Sequence, residues 1–127
     1  MVRTAATIRF AGVALDAADP AALARFYQDL LGLALLAESE DFLALKADGC
    51  FLTFWRVDDH RAPDWPGTGV PKQMHIDLAV TDLDDAERRA TALGATKAGH
   101  QPAPARWRVL LDPAGHPFCV SIAIPEL

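Results

Sequence analysis

The sequence predicts an α+β fold: two tandem βαβββ modules forming a curved mixed sheet around a cavity, with the helices on its outer face. Three observations carry this expectation. The order strand, helix, three short strands occurs twice along the chain. Each helical stretch opens on an Asp and closes on a Gly, at nearly the same interval in both halves. The strands combine a strongly apolar face with a semi-polar one, which asks for a helix on one side and an enclosed hollow on the other.

In the first half, Thr7 to Asp16 is apolar and reads as a strand. Asp19-Pro20 supplies a helix cap and a proline suited to the first helical position. Leu23, Phe26, Tyr27, Leu30 and Leu31 then fall on one helical face, and Gly32 stops the helix. Strands are expected at Leu33–Ala37, Phe42–Ala47 and Phe51–Val57, with Asp48-Gly49 as the turn between the last two. A polar loop rich in Pro and Gly follows.

The second half repeats the order. Met74–Val80 reads as a strand, and Asp82 caps a helix with Asp85 in a position resembling a capping box. Leu83, Ala86, Ala90 and Leu93 form its apolar stripe, and Gly94 ends it. Strands are expected near Ala95–Ala98, Arg106–Leu111 and Pro117–Ile124. The last two are joined by Asp112-Pro113-Ala114-Gly115, a sequence suited to a type I turn. The expectation is one domain over 1–127, made of module 7–57 and module 74–124 joined by loop 58–73. A ferredoxin-like β-α-β-β-α-β arrangement accounts for both helices but leaves two predicted strands unused.

The chain has 127 residues, enough for one domain with a core, and a formal net charge of -5. Its basic residues form no stripe, only pairs such as Arg88-Arg89 and Arg106/Arg108, so a nucleic-acid partner is not expected. No long apolar run follows Met1-Val2-Arg3-Thr4, and no stretch reaches the roughly eighteen apolar residues of a membrane span, so neither a signal peptide nor a membrane partner is expected. Two cysteines, Cys50 and Cys119, make no disulfide framework in a chain of this length. The expected location is the cytoplasm, with both thiols reduced.

Alternation divides the fifth strand into an apolar face, Met74, Ile76, Leu78 and Val80, and a second face, His75, Asp77, Ala79 and Thr81. The eighth strand divides into Phe118, Val120, Ile122 and Ile124 against Pro117, Cys119 and Ser121. By internal alignment the matching hollow-facing residues of the first module are Phe51, Thr53 and Trp55 on its fourth strand, and Phe10, Gly12 and Ala14 on its first.

Four stretches resemble a known family. They are Val13 to Leu33, with Phe26-Tyr27 and Leu31-Gly32-Leu33; His75-Ile76-Asp77-Leu78-Ala79-Val80; Leu93-Gly94-Ala95; and Asp112-Pro113-Ala114-Gly115-His116-Pro117-Phe118-Cys119-Val120. In their order and spacing they are similar to the vicinal-oxygen-chelate superfamily of glyoxalases, bleomycin-resistance proteins and extradiol dioxygenases, and most of all to its glyoxalase-like branch. His116 stands where that branch usually has Asn. The resemblance covers nearly the whole chain. It implies paired βαβββ modules, a cavity between them and frequent homodimerisation. In the metal-dependent members, it further implies four ligands on the first and fourth strands of each module. Those positions here are Gly12, Trp55, His75 and Cys119.

Glycine has no side chain to donate, and Trp offers an N–H but no lone pair. His75 and Cys119 alone fall short of the three protein ligands that a catalytic zinc site keeps, and thiolate suits hard ions poorly. No metal and no cofactor is therefore expected, although Asp77 or His116 would complete a soft site. His75 and Asp77 on one strand face suit acid–base work, because a carboxylate orients a neighbouring imidazole; they equally suit mutual satisfaction of two buried polar groups. Cys119 is either a nucleophile beside a cation or a small packing residue. Trp55 offers a stacking face or simply fills space, and one face of Arg106-Trp107-Arg108 is expected at the cavity entrance. His60 and His100 lie in loops and are expected to be solvated.

Two functions follow. The first is a homodimeric protein that binds a small, partly aromatic organic molecule in the inter-module cavity without the usual divalent metal, through Gly12, Thr53, Trp55, His75, Asp77 and Cys119. The second is a lyase, isomerase or dioxygenase-type enzyme with His75, Asp77 and Cys119 as catalytic candidates, using either acid–base chemistry or a soft metal at His75 and Cys119. A purely structural dimer with a filled cavity is a third.

Overall fold

The computed structural model describes residues 8–67 and 69–125. Its elements run β1 (Gly12–Ala17), α1 (Pro20–Leu31), β2 (Ala34–Glu38), β3 (Phe42–Ala47), β4 (Cys50–Arg56), β5 (Ile76–Ala79), α2 (Leu83–Ala92), β6 (Thr96–Lys97), β7 (Trp107–Leu111) and β8 (Pro117–Ser121). They form two four-stranded mixed sheets with the same topology, β1-β4-β3-β2 and β5-β8-β7-β6. In each, the first strand lies parallel to the fourth and the remaining pairs are antiparallel. This is the α+β architecture of paired βαβββ modules that the repeat predicts.

The helices begin and end where their capping residues stand. The Asp19 carboxylate accepts the Ala22 N–H at 3.1 Å, and Pro20 opens α1. Gly32 closes α1 in the left-handed region, at φ 68°. In α2 the Asp82 carboxylate accepts the Asp85 N–H at 3.0 Å. Both caps satisfy N–H groups that the first turn would leave without partners.

Several strands are shorter than their apolar runs. Thr7 lies outside the described residues, and the ladder of β1 starts at Gly12, opposite Phe51 near the start of β4. β5 starts at Ile76, opposite Phe118, so Met74 and His75 precede it. β8 ends at Ser121, opposite Trp107 at the start of β7. Ile122 and Ile124, expected on the packed face of β8, therefore lie beyond it and are 49% and 40% exposed. The reason is common to all three: a strand lasts only as long as its neighbour, a limit that alternation cannot reveal.

One core runs beneath both sheets. α1 packs on β3, β4 and β1, and α2 on β7, β8 and β6. The aromatic pair of α1 then bridges the modules. Tyr27 stacks on Phe54 of β4 at 5.9 Å between centroids, and Phe26 meets Phe118 of β8 edge-on at 5.8 Å. Each such contact adds about 0.5–1.5 kcal/mol beyond the area it buries.

At the centre of this core sits a polar bond. The Tyr27 hydroxyl donates to Asp112 Oδ2 at 2.7 Å, with both residues buried. Asp112 Oδ1 accepts the Ala114 and His116 N–H groups at 2.9 and 3.0 Å, which shapes the turn before β8. Burial pushes the Asp112 carboxyl above the ordinary carboxylate range, against the opposing pull of the Tyr27 bond. Burial, then the Asp112 charge, raises the Tyr27 phenol still further from ionising, so it remains a donor. His116 completes the tie with a 2.7 Å bond from Nε2 to the Asp16 carbonyl of β1.

Two outcomes follow. Tyr27→Phe leaves Asp112 Oδ2 buried without its donor and should cost about 1–3 kcal/mol in urea unfolding. The second concerns pH. From the ordinary aspartate value of 3.8 up to its raised native value, Asp112 holds a proton in the folded state that the unfolded chain has released. Stability therefore falls as pH rises through that window. The stability lead of the wild type over Asp112→Asn should shrink across the same window and then level off; a lead that grows with pH would contradict the burial argument.

Candidate functional site

The parallel pairing of β5 with β8 places Asp77 opposite Cys119. His75 lies two residues before Asp77 and shares its face. The antiparallel pairing of β8 with β7 adds Val109 opposite Cys119, and Trp107 opposite Ser121. On this face, away from α2, the five side chains and His75 line a cavity of about 370 Å³. Trp65 and Lys72 from the loop after β4 wall one side, with Pro102 and Ile124 at other parts of the rim.

The polar groups form one chain of contacts. Lys72 Nζ lies 3.4 Å from His75 Nδ1, and His75 Nε2 lies 3.1 Å from Asp77 Oδ1. An ammonium only donates, so Nδ1 is the acceptor and Nε2–H donates to the carboxylate. The same ammonium sits 5.2 Å from the Trp65 ring centroid, within cation–π range. Cys119 is half-buried. Burial pushes its thiol up, the Asp77 charge pushes it further, and the Lys72 charge pulls the other way. The neutral thiol is thus favoured, and its surroundings oppose the nucleophile role considered from sequence.

The corresponding face of the first module is different in kind. Gly12, Ala14 and Thr53, with Leu36, Phe42 and Phe51, line an open hollow of about 490 Å³ whose polar side chain is Thr53. Trp55 lies beside it, 46% exposed, tilted against Phe42 at 4.5 Å and donating Nε1–H to Thr53 Oγ1 at 3.2 Å. A narrow cleft of about 110 Å³, lined by Ala14, Leu15, His75 and Ile76 among others, separates β1 from β5. The six residues expected around one inter-module cavity therefore divide. His75, Asp77 and Cys119 come together in the second module. Gly12 and Thr53 line the first, with Trp55 next to them.

Strand register corrects one internal equivalence. Ala14 pairs with Thr53 as Asp77 pairs with Cys119. The counterpart of Cys119 is therefore Thr53, not Trp55. Counting along the chain misplaces it because the turn before the last strand is Asp48-Gly49 in one module and Asp112–His116 in the other.

Trp107 lines the cavity, whereas Arg108 on the opposite face pairs with Asp84 and Glu87 of α2 at 2.7 and 3.3 Å. His116, weighed as a completing ligand, is bonded to Asp16 instead. His60, expected in solvent, is half-buried, 5.1 Å from the His116 ring and bonded to the Ala114 carbonyl at 3.0 Å. His100 is exposed but lies 5.5 Å from the Trp65 ring. Sequence reasoning missed Trp65 and Lys72. Their one signal was an indole and an ammonium set in a loop otherwise read as a polar connection.

The four-ligand metal arrangement implied by the resemblance does not fit these residues. Gly12 offers no donor, and a Cβ built there collides with the Phe51 carbonyl oxygen. The Thr53 hydroxyl already accepts the Trp55 N–H.

Comparison with known proteins supports the same architecture. A glyoxalase/bleomycin resistance protein/dioxygenase family enzyme from Burkholderia phytofirmans superposes with a TM-score of 0.68 at 21% identity, over 89% of this chain and 97% of its own. The genomically encoded fosfomycin resistance protein of Listeria monocytogenes, in complex with Mn(II) and 1S,2S-dihydroxypropylphosphonic acid, gives 0.71 at 16% identity, over 91% and 92%. The bleomycin-binding protein of Streptomyces verticillus, in complex with copper(II)-bleomycin, gives 0.57 at 21% identity, over 93% and 100%. At these identities the likeness is one of fold. No curated protein matches the chain. A family model for the glyoxalase-like domain matches residues 12–121, from the first residue of β1 to the last of β8. The chain belongs to the glyoxalase-like domain family.

Proposed function

We propose that this protein binds a small, partly aromatic organic molecule carrying an acidic group, on the hollow face of the second module, without the four-ligand metal centre of its superfamily. The observation that carries the reading is the pairing of two indoles, Trp65 and Trp107, with the Lys72–His75–Asp77 chain around a cavity of about 370 Å³. That volume falls within the roughly 300–1,000 Å³ usual for small-molecule sites. Indole faces stack on planar groups, and Lys72, the cation lining the cavity, suits a carboxylate or phosphonate. The bound copper(II)-bleomycin and phosphonate of two fold relatives are in keeping with such a role. The reading places the protein in the cytoplasm, where Cys50 and Cys119 stay reduced.

A second reading, acid–base catalysis, is favoured by the 3.1 Å His75–Asp77 bond, which fixes the imidazole tautomer. Titration of the purified protein with aromatic acids and their neutral amides, followed by tryptophan fluorescence, tests both. The acids should quench emission and raise the melting temperature. Trp107→Ala should abolish the quenching. Lys72→Met should weaken the acids by about ten- to a hundredfold and leave the amides unchanged. Recovery of the compound unaltered supports binding; a product whose formation stops in His75→Ala supports catalysis. A broad panel without any response would sink both.

The partner chain in this reading is a second copy of the protein. Leu36, Phe51 and Trp55 expose an apolar surface on the first module, of a kind that usually marks an interface. Sedimentation should give a dimer for the wild type and a folded monomer for Phe51→Glu.

A further inference from the structure

We infer that the second-module cavity selects zwitterions: it takes an aromatic α-amino acid, with the carboxylate on Lys72, the ammonium on Asp77 and the ring against Trp107. This deepens the reading of the cavity as a small-molecule site and rests on it. Lys72 and Asp77 are the one ammonium and the one carboxylate among the residues that line the cavity. They stand on either side of a single imidazole. Lys72 Nζ lies 3.4 Å from His75 Nδ1, and Asp77 Oδ1 lies 3.1 Å from His75 Nε2. In the tautomer that these contacts select, the ring is neutral and cancels the charge of neither neighbour. An α-amino acid carries its two opposite charges on one carbon. Two charge-assisted bonds of about 2.8 Å let it bridge the width of that ring.

An acid alone fits this pair of charges poorly. Held by Lys72, it is one imidazole away from a second negative charge, too close for the roughly 8 Å screening length of physiological salt to cancel the repulsion. It also covers Asp77, which then loses water without gaining a partner. An ammonium on the same ligand removes both costs. Asp77 can receive it: the side chain is 56% exposed, and His75 uses one of the roughly four acceptor positions of the carboxylate.

The strand ladder supplies room for the ring. Across the sheet, Asp77 of β5 stands opposite Cys119 of β8, which stands opposite Val109 of β7. Trp107 lies two residues along β7 on the same face. Neighbouring strands are about 4.8 Å apart, so β7 runs roughly 10 Å from β5. The floor between them is low, because Cys119 and Val109 are short. A planar side chain leaving the α-carbon beside Asp77 passes over that floor and meets the Trp107 indole. The thiol beneath it stays neutral, as an apolar ring requires. On the other side Trp65 closes the cavity and steadies the Lys72 ammonium, 5.2 Å from its ring centroid.

Isothermal titration calorimetry of the full chain tests this with matched pairs. Phenylalanine, tyrosine and tryptophan are each compared with the acid that lacks the amino group: phenylpropionic, hydroxyphenylpropionic and indolepropionic acid. At least one amino acid should bind about tenfold or more tighter than its partner acid, and tighter than its N-acetyl derivative by a similar factor. Alanine, which has no ring, should bind more weakly than all three. Asp77→Asn should erase the preference by weakening the amino acid while the partner acid binds as well as before or better. Circular dichroism verifies that the variant is folded; if it is not, Asp77→Ser takes its place. Acids that bind as tightly as their amino acids overturn zwitterion selection and leave the acid-binding reading standing. A preference that survives loss of the Asp77 carboxylate overturns its assignment to that residue. Silence from every acid and every amino acid overturns both this inference and the reading beneath it.

Discussion

The Tyr27 hydroxyl and the Asp112 carboxylate meet in a place where neither could remain alone. An unpartnered carboxylate in that core would cost more than its packing returns, and a buried phenol without an acceptor would cost nearly as much. Bonded at 2.7 Å, each satisfies the other across the boundary between the modules. Asp112 then uses its second oxygen to shape the turn that launches β8. That turn carries His116 to β1, and β8 carries Cys119 to the cavity. The position of the candidate site relative to the first module therefore depends on one side-chain bond and the aromatic contacts packed around it.

The two modules share topology but not surface chemistry. At equivalent places in the two ladders stand Asp77 and Ala14, and Cys119 and Thr53, and His75, just before β5, answers to Gly12 at the start of β1. One hollow face carries an imidazole, a carboxylate and a thiol; the other has small or weakly polar residues between Phe42 and Phe51. A duplicated scaffold tolerates such divergence, because the faces turned toward the helices hold the core while the opposite faces are free to change. The result is one face suited to polar recognition and one suited to apolar contact.

Much of this was legible from residue patterns. Aspartate caps, glycine stops and the turn residues fixed both helices within the rules of local chemistry, and alternation sorted His75, Asp77 and Cys119 onto one face. Three things were not legible. Strand ends at Gly12, Ile76 and Ser121 depend on where a partner strand ends, a fact held elsewhere in the chain. The equivalence of Cys119 with Thr53 depends on the register after turns of unequal length. The roles of Trp65 and Lys72 depend on the path of an irregular loop, which has no periodicity to read.

The crowding at Gly12 limits what substitution can achieve in the first module. With no room for even a methyl group against the Phe51 carbonyl, a donor cannot be introduced there by one codon change. The side chain and the strand spacing would have to alter together, and the intermediate forms would be overpacked, at a typical cost of about 1–3 kcal/mol. Such a barrier keeps single substitutions from placing a donor there. New chemistry is more accessible on the second module, where the reactive side chains already exist and the backbone need not move.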